Sequence, residues 1–306
     1  MENQKGGNLN ISGFGSSNGG SYENVNISGG GNINGDIECG DFKISGMGDV
    51  KGNVTAANVK ISGTASIKGN LIVADEVSVS GASDVDGNVE GKSIKISGVS
   101  KIKGNLICEE LSISGASTIN GDAVATKLKV SGTSNVKGNL KGEEIDIKGA
   151  ADVGGDCECE NFKAQGGFKI GGLLNAEDID IKLYYKCTVN EIGGEKISVR
   201  KGEAFADIGR LIKNLFNFKE SLIAQSIEGD DIYLENTIAK VVRGNNVTIG
   251  PDCEIDLVEY RNELKVLEGG NVNKQEKVNC QENSNCNSNS VNENRNLCDE
   301  TEKPLI

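Results

Sequence analysis

Apolar residues recur in this chain at fixed distances from a glycine. Val25, Phe42, Val59, Val77, Ile94, Leu111, Leu128, Ile145 and Phe162 each stand four residues before one. Ile27, Ile44, Ile61, Val79, Ile96, Ile113, Val130, Ile147 and Ala164 stand two before. The glycines are Gly29, Gly46, Gly63, Gly81, Gly98, Gly115, Gly132, Gly149 and Gly166, so every step is 17 residues except one of 18. A second glycine follows each by six residues, from Gly35 to Gly172, and Ile or Val stands four after each first glycine, from Ile33 to Ile170. Further inward positions fall eight and ten after, the last a column of mostly small residues such as Cys39, Ala56, Cys108 and Ala125.

Alternation with period two within short runs predicts strands, and its strict recurrence predicts a solenoid. Three short strands with sharp corners fit one unit. Ile and Val suit a pleated, buried surface. The glycines mark corners that need positive φ or close backbone approach. Asn or Asp follows the second glycine in eight of nine units and tolerates left-handed backbone there. No unit contains Pro, as expected where every amide feeds a ladder. The expected architecture is all-β, a three-sided parallel β-helix of about 17 residues per coil. The long step, between Gly69 and Val77, predicts a one-residue bulge.

Outside the nine units the pattern weakens. Residues 1–24 hold a worn copy, Leu9-Asn10-Ile11-Ser12-Gly13 with Gly19, but Ser17 and Ser21 occupy apolar columns. Two readings stay open, a degenerate terminal coil and a disordered tail. The β-helix is expected over 25–199. Over 200–226 the period changes: Phe205, Ile208, Leu211, Ile212, Leu215 and Phe216 recur at helical spacing. This predicts one short helical insertion, either a cap on one end of the rod or a face for membrane or partner. Residues 227–260 read as further coils with tighter corners and Pro251 at a turn. Residues 261–306, rich in Asn and Ser, read as a disordered tail carrying Cys280, Cys286 and Cys298.

Composition narrows the chemistry. The net charge of −13 argues against a nucleic-acid partner. The absence of His removes the commonest general base and metal ligand. The Cys157-x-Cys159 pair points into the coil without further ligands, so packing explains it better than zinc. No glycine-rich stretch opens a helix as a phosphate cradle would, so no nucleotide or other cofactor is expected. The Lys column (Lys43, Lys60, Lys95, Lys129, Lys163) reads as a solvated face, and the Ser column from Ser28 to Ser131 as a hydrogen-bonding ladder at the corner rather than nucleophiles. The start carries no apolar leader and no stretch is long enough for a membrane span, so a cytoplasmic protein with reduced thiols is the expectation.

The repeated Ile-Lys-Ile-Ser-Gly-x-x-x-Ile-x-Gly-Asn-Leu over 25–181 resembles the bactofilins, polymer-forming bacterial cytoskeletal proteins. So does the stretch from Ile227 to Tyr260, with Lys240-Val241-Val242-Arg243-Gly244 and Gly250-Pro251. The resemblance implies a right-handed β-helix that joins end to end into nucleotide-independent filaments. It also implies a non-enzymatic scaffold that positions cell-wall or membrane-associated proteins at the inner face of the membrane. The competing expectation is a monomeric, capped β-helix serving as a binding module or spacer.

Overall fold

The computed structural model describes residues 6–202 and 220–278. The described part is an all-β parallel solenoid of about 15 turns, without a helix. One ladder column shows its continuity. Leu9 pairs with Val25, Val25 with Phe42, and the pairing passes coil by coil through Val59, Val77, Ile94, Leu111, Leu128, Ile145, Phe162, Ile179, Ile197, Ile232 and Val247 to Leu264. At about 4.8 Å per step this stack is about 65–70 Å long.

A representative coil consists of the strands Val54–Ile61 and Thr64–Ile67. The longer strand buries Val54, Ala56, Val59 and Ile61, so its alternation changes phase between Ala56 and Val59. That coil also buries Ala65 and Ile67 from its shorter strand, and the core is a stack of aliphatic columns. Phe42 and Phe162 are the largest fully buried side chains, and Phe162 meets Phe168 edge-on at 5.3 Å. The expected bulge is present: Val73 pairs with Ala56 and Glu76 with Asn58, leaving Ala74 and Asp75 against Ala57.

The corners select one of the two glycine readings and differ from the sequence reading at the Asn/Asp and Ser columns. Positive φ is confined, among the described residues, to Gly19, Gly20, Gly269, Asn236 and Asp252. The repeat glycines are there for close approach: a Cβ on Gly63 would lie 2.5 Å from the Ser45 carbonyl oxygen of the preceding coil. Nor is the Asn/Asp column left-handed. Its side chains form the corner ladder. Asp36 Oδ1 accepts the Asn53 backbone N–H at 2.7 Å, Asn53 Oδ1 that of Asn70 at 2.8 Å, and the relay runs coil by coil until Asp156 Oδ1 accepts the Leu173 N–H at 2.8 Å. The Ser column is not that ladder. Among the described residues its hydroxyls make one bond to each other, Ser114 Oγ to Ser97 Oγ at 3.3 Å. There the backbone does the joining, as Ser80 and Gly81 both donate to Ile61 O at 2.8 and 3.1 Å.

Boundaries shift as well. The terminal stretch before residue 25 forms strands Leu9–Ile11 and Phe14–Ser17 in register with the next coil. Within 200–226, Arg200 and Lys201 belong to the strand Lys186–Lys201, and Ser221 onward to Ser221–Leu234. These strands pair directly, Cys187 with Leu222 and Ile197 with Ile232, so the solenoid runs on across the insertion. The helical insertion expected over 200–226 is thus strand at both its flanks, and its remainder, 203–219, lies outside the described residues. At the other end, residues the sequence assigns to the tail complete the strand Glu254–Val266 and form Asn271–Lys277. Their polar side chains hide them from a reading based on burial, since among the described residues no coil lies beyond them.

Candidate interaction surfaces

On one concave stretch of the outer wall Glu191, Glu228, Asp230, Arg243, Glu259 and Arg261 line a cleft. Several lysines pair with nearby carboxylates, as Lys43 with Asp41 at 2.9 Å and Lys103 with Asp86 at 2.6 Å, on open surface where such pairs contribute little. Lys103 hydrogen-bonds Asp86 and holds its carboxyl below the usual range. The described thiols are all buried. Burial pushes Cys108 up to about 12, and Cys157 is raised by its hydrogen bond with Cys159 and by burial, so neither supplies a thiolate nucleophile. Among the described residues no three His, Cys, Asp or Glu side chains gather as metal ligands, and no helix is long and apolar enough to cross a membrane.

The two ends of the rod differ from its walls. Strand Leu9–Ile11 pairs on one side only, with Asn24–Ile27, among the described residues. At the opposite end Asn271–Lys277 covers Glu254–Tyr260, leaving the Arg261–Val266 half with no strand beyond it among the described residues. Inward residues are therefore incompletely covered there: Leu264 and Val272 are half-buried, and Val266 and Leu267 are exposed. Unpaired strand edges over an open apolar core invite another strand.

A third surface runs along the flank, one residue past each corner glycine. Phe14 pairs with Gly30, Gly30 with Met47, and the column continues through Thr64, Ala82, Val99, Ala116, Thr133 and Ala150 to Gly167. None of these ten residues is charged, in a chain with 25% charged residues. The three most exposed large apolar side chains of the described rod belong here, Phe14 at 93%, Met47 at 61% and Val99 at 58%, and the fourth, Tyr185 at 57%, stands beside its end. Tyr185 leans over the end of the column, its Cβ 3.5 Å from where Gly167 would carry one.

The sequence-derived candidates Phe205, Ile208, Leu211, Ile212, Leu215 and Phe216 lie outside the described residues, but their attachment is defined. On one side Lys201 N–H donates to Glu235 Oε2 at 2.8 Å, and Gly202 N–H to Leu183 O at 2.8 Å. On the other, Asn236 Nδ2 donates to Glu220 O at 3.3 Å. Glu235 is fixed by Tyr233, whose hydroxyl donates to Oε1 at 2.6 Å and whose pKa that bond raises, while Arg200 stacks over the Tyr233 ring. Sequence reading missed this clamp; the one signal for it is Asn236, which takes a φ of 49° as Asn tolerates. Three ladder positions, Ile232, Val247 and Leu264, lie beyond the clamp, so the segment springs from the flank rather than the end.

The model of the bactofilin family, described as polymer-forming cytoskeletal, matches residues 4–106 and 91–175. Two curated relatives come from Bacillus subtilis (strain 168). The uncharacterized protein YhbF is 39% identical over 90 residues, 29% of this chain and 34% of that protein. The uncharacterized protein YhbE is 49% identical over 57 residues, 19% of this chain and 24% of that protein. The matched stretches thus span about a third and a quarter of the relatives' lengths. No solved structure matches the chain.

Proposed function

The chain belongs to the bactofilin family, a polymer-forming cytoskeletal one, and from that premise we propose that it is a non-enzymatic scaffold whose rods join through their ends into filaments without nucleotide. The observation that carries the reading is the pair of rod ends, each with strand edges that pair on one side only among the described residues, in a stack of continuous strand ladders. Joining ends satisfies those backbone groups and covers Leu264, Val266 and Val272. In this reading the filament lies in the cytoplasm at the inner face of the membrane. The clamped segment, with Phe205, Ile208, Leu211, Ile212, Leu215 and Phe216, is its element for holding a membrane or a cell-envelope protein. Its attachment points lie on the flank, three ladder positions inside the described end, which favours a docking element over the competing reading of a capped monomer.

Electron microscopy and sedimentation of the full chain without nucleotide test the assembly. Filaments are expected, and Val266→Glu, at an exposed end position, shortens them. A strict monomer at high concentration across salt conditions overturns the reading. Deleting 203–219 and joining Gly202 to Glu220 separates the roles: loss of membrane co-sedimentation with filaments intact supports the docking element, whereas filaments appearing only after deletion support a cap.

A further inference from the structure

We propose that the uncharged flank column is a side-by-side contact between two copies of this chain, laid antiparallel. The rod is strongly acidic overall, so two copies brought together over most of its surface repel each other. The column from Phe14 to Gly167 is a long strip without that repulsion. Its neighbours on one side are the exposed Ser column, also uncharged from Ser12 to Ser131. On the other side charge returns within two residues, at Asp49, Asp84, Lys101 and Asp152. A strip confined this sharply also holds the most exposed apolar side chains of the rod, and clustered apolar exposure marks an association surface.

The order of sizes along the strip selects the direction. In a parallel pair in register, Phe14 faces Phe14, Met47 faces Met47 and Val99 faces Val99, so bulk meets bulk. Reversing one copy about a two-fold axis between Ala82 and Val99 sets Phe14 against Gly167 with Tyr185 beside it. The same reversal sets Met47 against Thr133, Thr64 against Ala116, and Ala82 against Val99. Each large side chain then meets a small one, the condition for close packing. Such a contact is isologous and closes as a pair. Ten coils by two residues make a strip of about 45 by 10 Å, burying roughly 900 Å² over the two copies. That is below a standard stable interface. Isolated rods therefore pair weakly, and rods already joined end to end pair strongly, because each further contact is intramolecular.

Mass per unit length, from small-angle scattering of the full chain at high concentration, tests pairing apart from end joining. A chain that fails to join ends still gives paired short rods, whereas joined but unpaired rods give single-file mass. The expected value is twice that of one rod. Ala82→Glu with Val99→Glu sets like charges face to face and halves it. Ala82→Lys with Val99→Glu sets opposite charges face to face and keeps it doubled. Both substituted residues, Ala82 and Val99, are at exposed strand positions, and circular dichroism checks that the coils persist. A photo-crosslinking residue replacing Met47 gives a second reading. Adducts are expected on the peptide carrying Thr133 of another copy. Single-file mass for the unaltered chain, equal mass for both double variants, or adducts confined to the Met47 region or the rod ends overturn the proposal.

Discussion

Replacing Gly98 with Ala places a methyl group 2.5 Å from the Ser80 carbonyl oxygen and closer still to that of Gly81. A carbon resting against a carbonyl oxygen sits at about 3.3 Å or more, so relief of the Ser80 contact alone parts the two coils by about 0.8 Å, and the closer Gly81 contact demands more. Three bonds join them at that corner: Ser97 N–H and Gly98 N–H to Val79 O at 2.8 and 3.1 Å, and Val99 N–H to Gly81 O at 2.9 Å. Each would stretch beyond useful length. At about 0.5–1.5 kcal/mol net per bond, the loss is about 2–4 kcal/mol, borne at one coil interface. Stability in a solenoid is roughly a sum over nearest neighbours. The damage should therefore appear locally, as faster amide exchange in residues 79–99, as well as in a lower urea midpoint. Gly91 is the control. A Cβ there would meet its nearest atom, Val73 O, at 3.5 Å, an ordinary contact. Gly91→Ala should be neutral or stabilise by about 0.4–1 kcal/mol by restricting the unfolded chain. If Gly98→Ala proves no more damaging than Gly91→Ala, the close-approach account of the corner glycines is wrong.

Three further outcomes are expected. Asn105→Ala removes the acceptor of the Asp122 N–H and should cost about 1 kcal/mol; Asn105→Asp keeps that acceptor and should recover most of the loss in urea unfolding. Deleting Asp75 removes half of the Ala74–Asp75 bulge and restores the prevailing 17-residue step, so the melting temperature should stay unchanged; a fall of several degrees would mean the bulge has a packing role. The buried thiols link stability to pH. Folding raises Cys108 from 9.0 to about 12 and Cys187 and Cys253 to about 11. The native state thus holds protons that the unfolded chain releases, so stability is intact below pH 9 and falls as pH climbs toward 11. Urea midpoints at pH 7.5 and 10 should show the decline, and Cys108→Ala should flatten it.

The columns Val25-Phe42-Val59 and Ile27-Ile44-Ile61 determined the coil, its period and its interior from sequence alone. They did so because a strand in a stack has one inward face, and the same residue types must return to it at every turn. The extra residue at Ala74–Asp75 and the burial of Cys39, Cys108, Cys157 and Cys159 follow from the same counting. What lies on the neighbouring coil is a different kind of fact. That Asn105 bonds the backbone of Asp122, that Gly98 is needed because a carbonyl stands where its Cβ would be, and that Phe14, Met47 and Val99 share one exposed strip all depend on stacking register. Register also carries the ladder past residues 203–219, through Cys187 and Leu222, and on to Lys277. Polar end coils and an inserted segment erase the hydrophobic signal locally. The backbone pairing that holds them belongs to contacts between residues 15 to 35 positions apart, which no local pattern encodes.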